Sequence, residues 1–250
     1  GDTFDVGGTT HSGIKRMIKG ITPEEAGVDN ERDNGNGSLM RILPVSVYFA
    51  ESPVPDLLNA SHRASSLTHR HPRSLMACGF YSLMISALLK GDDPLKAYHY
   101  AVRQSGESYN KPPYSKEIVH FKRILTGNIH QLLEDDIQSD GYVIHTLEAS
   151  IWCLLNSNTF TEALLKAVNL GYDTDTTGIV TGGLAGIHYG IDAIPKEWID
   201  TIARKEDIEG LFNNFIFFNV TKYTPLDGAF FIEGKQRFQI TIKPLGNENI

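Results

Sequence analysis

The run Gly171-Tyr172-Asp173-Thr174-Asp175-Thr176-Thr177, followed by glycines at 178, 182, 186 and 190, constrains this chain more than any other stretch. Glycine costs roughly 1 kcal/mol relative to alanine inside a helix. Glycines four apart fall near one another on one helix face, so their cost needs a compensating close approach by another element. Gly178 to Gly190 therefore reads as a tightly packed, buried helix. Its beginning carries two carboxylates and several hydroxyls. Asp and Thr at a helix start can satisfy free backbone N–H groups and complement the dipole. The same oxygens suit a hard divalent cation such as Mg²⁺. The pattern admits both a metal site and a capped helix.

Most of the remaining chain also patterns as helix. Thr9 to Ile18 is ended by Gly20, and Leu39 to Ala50 is kinked or split by Pro44. Pro55 to Leu67 presents Leu57, Leu58, Ala60, Ala64 and Leu67 on one face. Pro72 to Leu89 is apolar nearly throughout and predicts a central core helix. A helix from Pro94 to about Gln104 precedes a loop over Ser105 to Pro113, and Ser115 to Leu125 reads as helix again. Val143, Leu147, Ile151, Leu154 and Leu155 recur at helical spacing. Thr159 and Glu162 predict a capping box for a helix reaching Leu170, which Gly171 stops. Beyond residue 210 the pattern changes: Phe212 to Phe218 is rich in aromatics, and Ala229 to Ile242 reads as two short strands around Glu233-Gly234. The expectation is an all-α, multi-helix bundle over 1–210 and a short β-rich extension, a β-hairpin, within 211–250.

The formal net charge of −7 argues against a general binder of nucleic acid or anionic membrane, which needs a basic field. Cys78 and Cys153 lie in apolar, helix-like stretches outside any Cys-x-x-Cys pair, so buried free thiols are expected. No stretch is expected to reach a membrane span, and nothing at the start reads as a secretory signal. An intracellular, cytoplasmic location is the default expectation. The first residue is Gly1, from which a cut or incomplete N-terminus is expected.

Counting from Asp173, the twelfth position is Leu184, so an EF-hand loop is rejected. Aspartyl-phosphate hydrolases share an Asp-x-Asp-x-Thr pattern, but at the end of an early strand, whereas Gly171 here follows a helix. Asp33-Asn34-Gly35-Asn36-Gly37-Ser38-Leu39-Met40-Arg41 has two glycines that let backbone approach a ligand, with N–H groups for an anion after Gly37. It also reads as an ordinary Asn-Gly turn with Ser38 as N-cap. No Gly-Lys-Ser/Thr follows, so it is not a phosphate-binding Walker loop. Phe4-Asp5-Val6-Gly7-Gly8-Thr9-Thr10 is another Gly/Thr loop entering a helix. In Ser66-Leu67-Thr68-His69-Arg70-His71-Pro72, the histidines suit hydrogen bonding better than a hard-cation shell.

Together these stretches resemble one family, the ADP-ribosylglycohydrolases. The resemblance rests on Phe4 to Thr10, Gly35 to Arg41, Leu67-Thr68-His69, Gly141-Tyr142-Val143 with Thr146-Leu147-Glu148-Ala149, and Asn169 to Thr176, in that order. It extends over roughly Asp2 to Asp207. It implies a helical bundle around a cleft that holds two divalent ions, Mg²⁺ or Mn²⁺. By that resemblance Asp173, Asp175 and Thr176 are metal ligands, and Asp175 and Asp5 belong to the catalytic set, Asp5 as an acid near the ribose. Gly7, Gly8 and Thr9, with Gly35, Asn36, Gly37 and Ser38, would line the phosphates and ribose of ADP-ribose. His69 resembles a ligand-contacting histidine, and Tyr172 stands where a glycine is commoner, narrowing the cleft.

The implied reaction is hydrolysis of the glycosidic bond between ADP-ribose and a modified protein side chain or small molecule. The family also carries a Thr-Asp-Asp-Thr motif and an upstream acidic residue, and neither occurs in these 250 residues. The family's N-terminal portion is therefore expected to be missing, half of the dimetal site with it, and turnover impaired. The alternative is an inactive ADP-ribose-binding module. Oligomeric state is left open.

Overall fold

A computed structural model of the chain describes residues 6–223, and side chains up to residue 215. By internal contacts the chain divides after Thr201. The first unit contains α1 (Gly8–Ile18), α2 (Pro23–Ala26), α3 (Leu43–Tyr48), α4 (Val54–Ser66), α5 (Pro72–Leu89), α6 (Pro94–Ser108), α7 (Lys122–Leu125), α8 (Val143–Leu155), α9 (Phe160–Asn169), α10 (Thr174–Tyr189) and α11 (Lys196–Asp200), with short 3₁₀ turns between them. The second unit contains α12 (Lys205–Tyr223). That helix runs across residue 210, where the sequence reading places a boundary. The expected hairpin at Ala229 to Ile242 lies outside the described residues. Among the described residues there is no sheet, only isolated bridges joining Val28 to His69 and Gly35 to Tyr142.

Helix α5 forms the centre of the first unit. Pro72 sits in its first turn, where a missing N–H costs nothing, and His71 Nδ1 accepts from Arg73 N. Gly91 takes φ +91° just after the C-cap. By length and composition α5 could cross a membrane, contrary to the expectation that no segment would, but 89% of it is buried inside the protein. Leu83, Met84 and Ile85 are fully buried in a core shared with Leu147, Ile151 and Leu184. At about 1.5–3 kcal/mol for each large apolar side chain, that burial is the main stabilising contribution.

The glycines of α10 have a located purpose. A Cβ at Gly178 would lie 3.2 Å from Val168 Cγ1, one at Gly182 3.5 Å from Leu164 Cδ1, and one at Gly186 4.0 Å from Phe160 Cε2. These are successive i, i+4 positions of α9, so the four-apart stripe receives the ridge of that helix. The tightest position is Gly183, outside the stripe: an added Cβ would meet the Tyr81 hydroxyl and stand 3.1 Å from Leu43 Cδ2. That hydroxyl donates to the Val180 carbonyl at 3.2 Å, tying α5 to α10.

Two expected elements differ. Helix α6 continues to Ser108, because Ala101, Ser105 and Tyr109 bury against the core despite the polar sequence. Ser115 to Leu125 is not one helix but two 3₁₀ turns and the single turn α7. There the side chains answer to distant partners: Tyr114 Oη lies 3.2 Å from His62 Nδ1, and Glu117 accepts from Arg73. Pro44 splits its segment as expected, into a 3₁₀ turn over Leu39–Arg41 and α3.

Candidate functional site

The start of α10 is the frame of the site. Gly171 turns the chain at φ +85°, a conformation glycine adopts freely, and Tyr172 follows at φ +56°. The loop before α8 straps this turn: Ser139 Oγ donates to Gly171 O at 3.0 Å, and Asp173 N donates to Ser139 O at 3.0 Å. The Asn34–Gly37 loop pairs with the other side of the same segment. Val143 N donates to Asn34 O at 2.9 Å, and Asn36 N to Gly141 O at 3.0 Å.

These straps place Asn36 against Asp173. The Asn36 amide donates one hydrogen to Thr146 Oγ1 and one to Asp173 Oδ2, each at 2.8 Å. Both of its N–H donors are thus used. The space beside the carboxylate is bounded by bare backbone, with Asp173 Oδ2 3.4 Å from the place of a Cβ on Gly141. Partial burial pushes the Asp173 carboxyl upward, but hydrogen bonds from Asn36 and Thr176 outweigh it and hold it below the usual carboxylate range. Asp173 is therefore an anion at neutral pH.

The capping reading of this run holds at Asp175, which takes a first-turn N–H, and not at the N-cap residue itself. Asp173 occupies the N-cap position, but its side chain caps nothing. Asp175 Oδ1 takes the Thr176 N–H at 2.9 Å instead. Asp173 is turned out of the cap toward Asn36, Thr176 is buried, and Asp175 is exposed.

His69 is the third component. Its backbone is pinned by Val28 and by Ser65, whose carbonyl accepts from His69 N at 2.8 Å. Its ring lies against the glycine loop: a Cβ at Gly37 would come within 2.9 Å of His69 Cε1 and 3.1 Å of Thr10 Oγ1. Gly37 is thus required by close approach. Burial first, then the Arg41 cation, lowers the His69 pKa to about 4, against a smaller upward pull from Asp33. The ring is neutral at pH 7.

The remaining expected site residues fall as follows. Gly7 and Gly8 are exposed at the start of α1, and Thr9 is half-buried in its first turn. Thr10, named in the same loop but given no site role in the sequence reading, is the α1 threonine whose Oγ1 lies 3.1 Å from the place of a Cβ on Gly37. Ser38 is fully buried, makes no cap, and accepts the Cys78 thiol at 3.4 Å. Tyr172 is 89% exposed. Asp5 lies outside the described residues. Arg41, Thr68, Thr146 and Ser139 hold the site together and had no assigned role. Arg41, Thr68 and Thr146 stand inside the stretches that carry the family resemblance, and Ser139 lies two residues before Gly141.

The fold and this oxygen-lined junction of three loops define a helical protein with an anionic, glycine-walled site. Comparison with known proteins gives it a family. The ADP-ribosylglycohydrolase family model matches residues 1–224. The chain is 31% identical over 211 residues to the ADP-ribosylarginine hydrolase Tri1 of Serratia proteamaculans (strain 568), covering 84% of this chain and 54% of that protein. It is 31% identical over 206 residues to the ADP-ribosyl-[dinitrogen reductase] glycohydrolase of Rhodospirillum rubrum, covering 82% and 62%. A solved ADP-ribosylglycohydrolase-related protein complex superposes with a TM-score of 0.68 at 30% identity, covering 82% of this chain and 66% of that one. The chain belongs to the ADP-ribosylglycohydrolase family. It spans between about half and two thirds of the length of these relatives.

Proposed function

We propose that this chain binds ADP-ribose at the junction of the Gly35–Gly37 loop, His69 and the start of α10, and that it serves hydrolysis of the glycosidic bond joining ADP-ribose to a modified side chain. Arginine is the side chain to test first, since the Serratia relative is named for ADP-ribosylarginine. The observation that carries this reading is the Asn36–Asp173 bond. It joins the loop suited to the ligand and the carboxylate suited to a cation into one site. Breaking a ribosyl bond develops positive charge at the anomeric carbon. An anionic site with the reacting sugar held in place lowers that barrier by orientation and charge complementarity.

The residues fit one edge of a hard-cation site. Asp173 is anionic, and Asp175 and Thr176 add oxygens on the same turn. Asp173, Asp175 and Thr176 would hold Mg²⁺ or Mn²⁺. Such an ion orients ribose hydroxyls and lowers the pKa of water. Asn36 keeps Asp173 oriented, and the glycine loop and His69 orient the ligand. With only this partial donor set, turnover by these 250 residues alone is expected to be slow.

A second reading, an ADP-ribose-binding module without metal chemistry, is favoured by one observation. Among the described residues no group of three His, Cys, Asp or Glu side chains gathers as a metal cluster. The test is release of ADP-ribose from ADP-ribosylated arginine with and without Mg²⁺, using wild type and Asp175→Asn. Mg²⁺-dependent release lost in Asp175→Asn supports the hydrolase. ADP-ribose binding with no release under any condition supports the module.

A further inference from the structure

His69 is 2% exposed, yet only one of its ring nitrogens has a hydrogen-bond partner among the described residues. Nδ1 lies 2.7 Å from Thr68 Oγ1. Nε2 faces the glycine loop, 3.3 Å from the place of a Cβ on Gly37 and 3.7 Å from that on Gly35. Thr10 Oγ1 stands on the same side, 3.1 Å from the Gly37 position. Among the described residues no hydrogen bond fixes Nε2 itself, so this ring atom is open to a ligand.

The partner on the far side decides what Nε2 presents. Arg41 Nη2 donates to Thr68 Oγ1 at 2.6 Å. A guanidinium has only donors, and a threonine hydroxyl has one hydrogen and two lone pairs. With one lone pair taken by Arg41, the Thr68 hydrogen is free to point at His69 Nδ1. The opposite arrangement, Nδ1–H donating to Thr68, would leave the hydrogen of this buried hydroxyl with no acceptor. Arg41 also donates through Nη1 to Gly37 O at 2.7 Å, and more weakly to the Ala64 and Ser65 carbonyls at the end of α4.

The geometry points to Arg41 and Thr68 as positioning residues: the chain Arg41 → Thr68 → His69 fixes the imidazole as its Nε2–H tautomer, a dedicated donor into the Gly35–Gly37 cradle. One guanidinium therefore sets both the loop, through Gly37 O, and the proton that faces it. The ligand is an acceptor oxygen, a phosphate or a sugar hydroxyl. Identifying it as part of ADP-ribose rests on the function proposed above. Arg41 and Asp33 are the charged groups that act on this ring, with opposite signs.

The test is long-range ¹H–¹⁵N NMR of uniformly labelled chain, with His69 assigned by the signals lost in His69→Gln. Wild type at pH 7 is expected to show a protonated Nε2 and a bare Nδ1, unchanged on lowering the pH to 5. Thr68→Val should give mixed tautomers, and Thr68→Ser should restore the wild-type pattern. A wild-type Nδ1–H tautomer, or a Thr68→Val spectrum identical to wild type, overturns the proposal. Should Thr68→Val fail to fold, the wild-type and Thr68→Ser spectra still decide it. Calorimetry with ADP-ribose on the same samples should show about tenfold weaker binding in Thr68→Val, as for loss of one well-placed hydrogen bond, and recovery in Thr68→Ser. Absence of ADP-ribose binding by wild type would overturn the ligand assignment alone, because the tautomer is read without ligand.

Discussion

The side-chain amide of Asn36 lies 2.8 Å from Asp173 Oδ2, across 137 residues of sequence. This contact keeps the carboxylate out of the N-cap of α10 and turned into the site. Asn36→Ala should cost about 1–3 kcal/mol, since Asp173 and Thr146 each lose a hydrogen bond in a partly or fully buried setting. The Asp173 pKa should move upward with it. Urea unfolding measures the first effect and NMR titration of the Asp173 carboxyl the second.

Acid should destabilise the chain through His69. Its folded pKa is lowered to about 4 from the ordinary 6.5. Holding the ring neutral adds no penalty above pH 6.5, whereas below it the unfolded chain takes up a proton that the folded one refuses. Stability is thus full above pH 6.5 and falls as pH drops toward 4, by roughly 2–3 kcal/mol from this group. His62, also lowered to about 4 by burial, adds in the same direction. Urea midpoints at pH 7, 5.5 and 4.5 should fall in that order, with a smaller decline in His69→Gln.

Gly183→Ala and Gly106→Ala should have opposite signs. A methyl at Gly183 meets the Tyr81 hydroxyl and Leu43, whereas at Gly106 in α6 nothing lies within 4 Å. Overpacking at Gly183 should cost about 1–3 kcal/mol. Alanine at Gly106 should stabilise by about 0.4–1 kcal/mol through helix propensity and reduced unfolded-state entropy. Thermal and urea denaturation of the two variants separate close packing at Gly183 from helix propensity alone.

The thiols should be silent in the folded protein. Cys78 and Cys153 are both free and buried. Burial raises both pKa values, that of Cys153 to about 12. An aromatic disulfide reagent at pH 8 should label neither thiol in native protein and both after denaturation.

Much of this was legible in residues with strong local meaning. Pro72 and Gly91 frame α5, and Thr159 caps α9 through Glu162 N at 3.1 Å. Even there the reciprocal half moved: Glu162 Oε2 accepts from Asn158 N, not from Thr159 N. Asn36, Gly37, His69 and Asp173 carried enough pattern to be singled out, and the fold brings them together. The illegible parts are those in which distant contacts override local preference. Ser105 and Gly106 look like loop until Tyr109 is buried beneath Gly79. Ser38 looks like a cap until its hydroxyl is found on Cys78. Arg41 and Thr68 stood in the matching stretches without a role, because their meaning is a hydrogen-bond chain between α4 and the glycine loop.

The central claim is that the Gly35–Gly37 loop, His69 and the Asp173–Thr176 turn form one ADP-ribose site with an attached cation site. Calorimetric titration of this chain with ADP-ribose, in Mg²⁺ and in chelator, tests it most directly. The account predicts binding in Mg²⁺ that weakens at least about tenfold in chelator and in Asp175→Asn, the loss expected for one strong charge interaction. Equal affinity under all three conditions, or no binding in Mg²⁺, would contradict it.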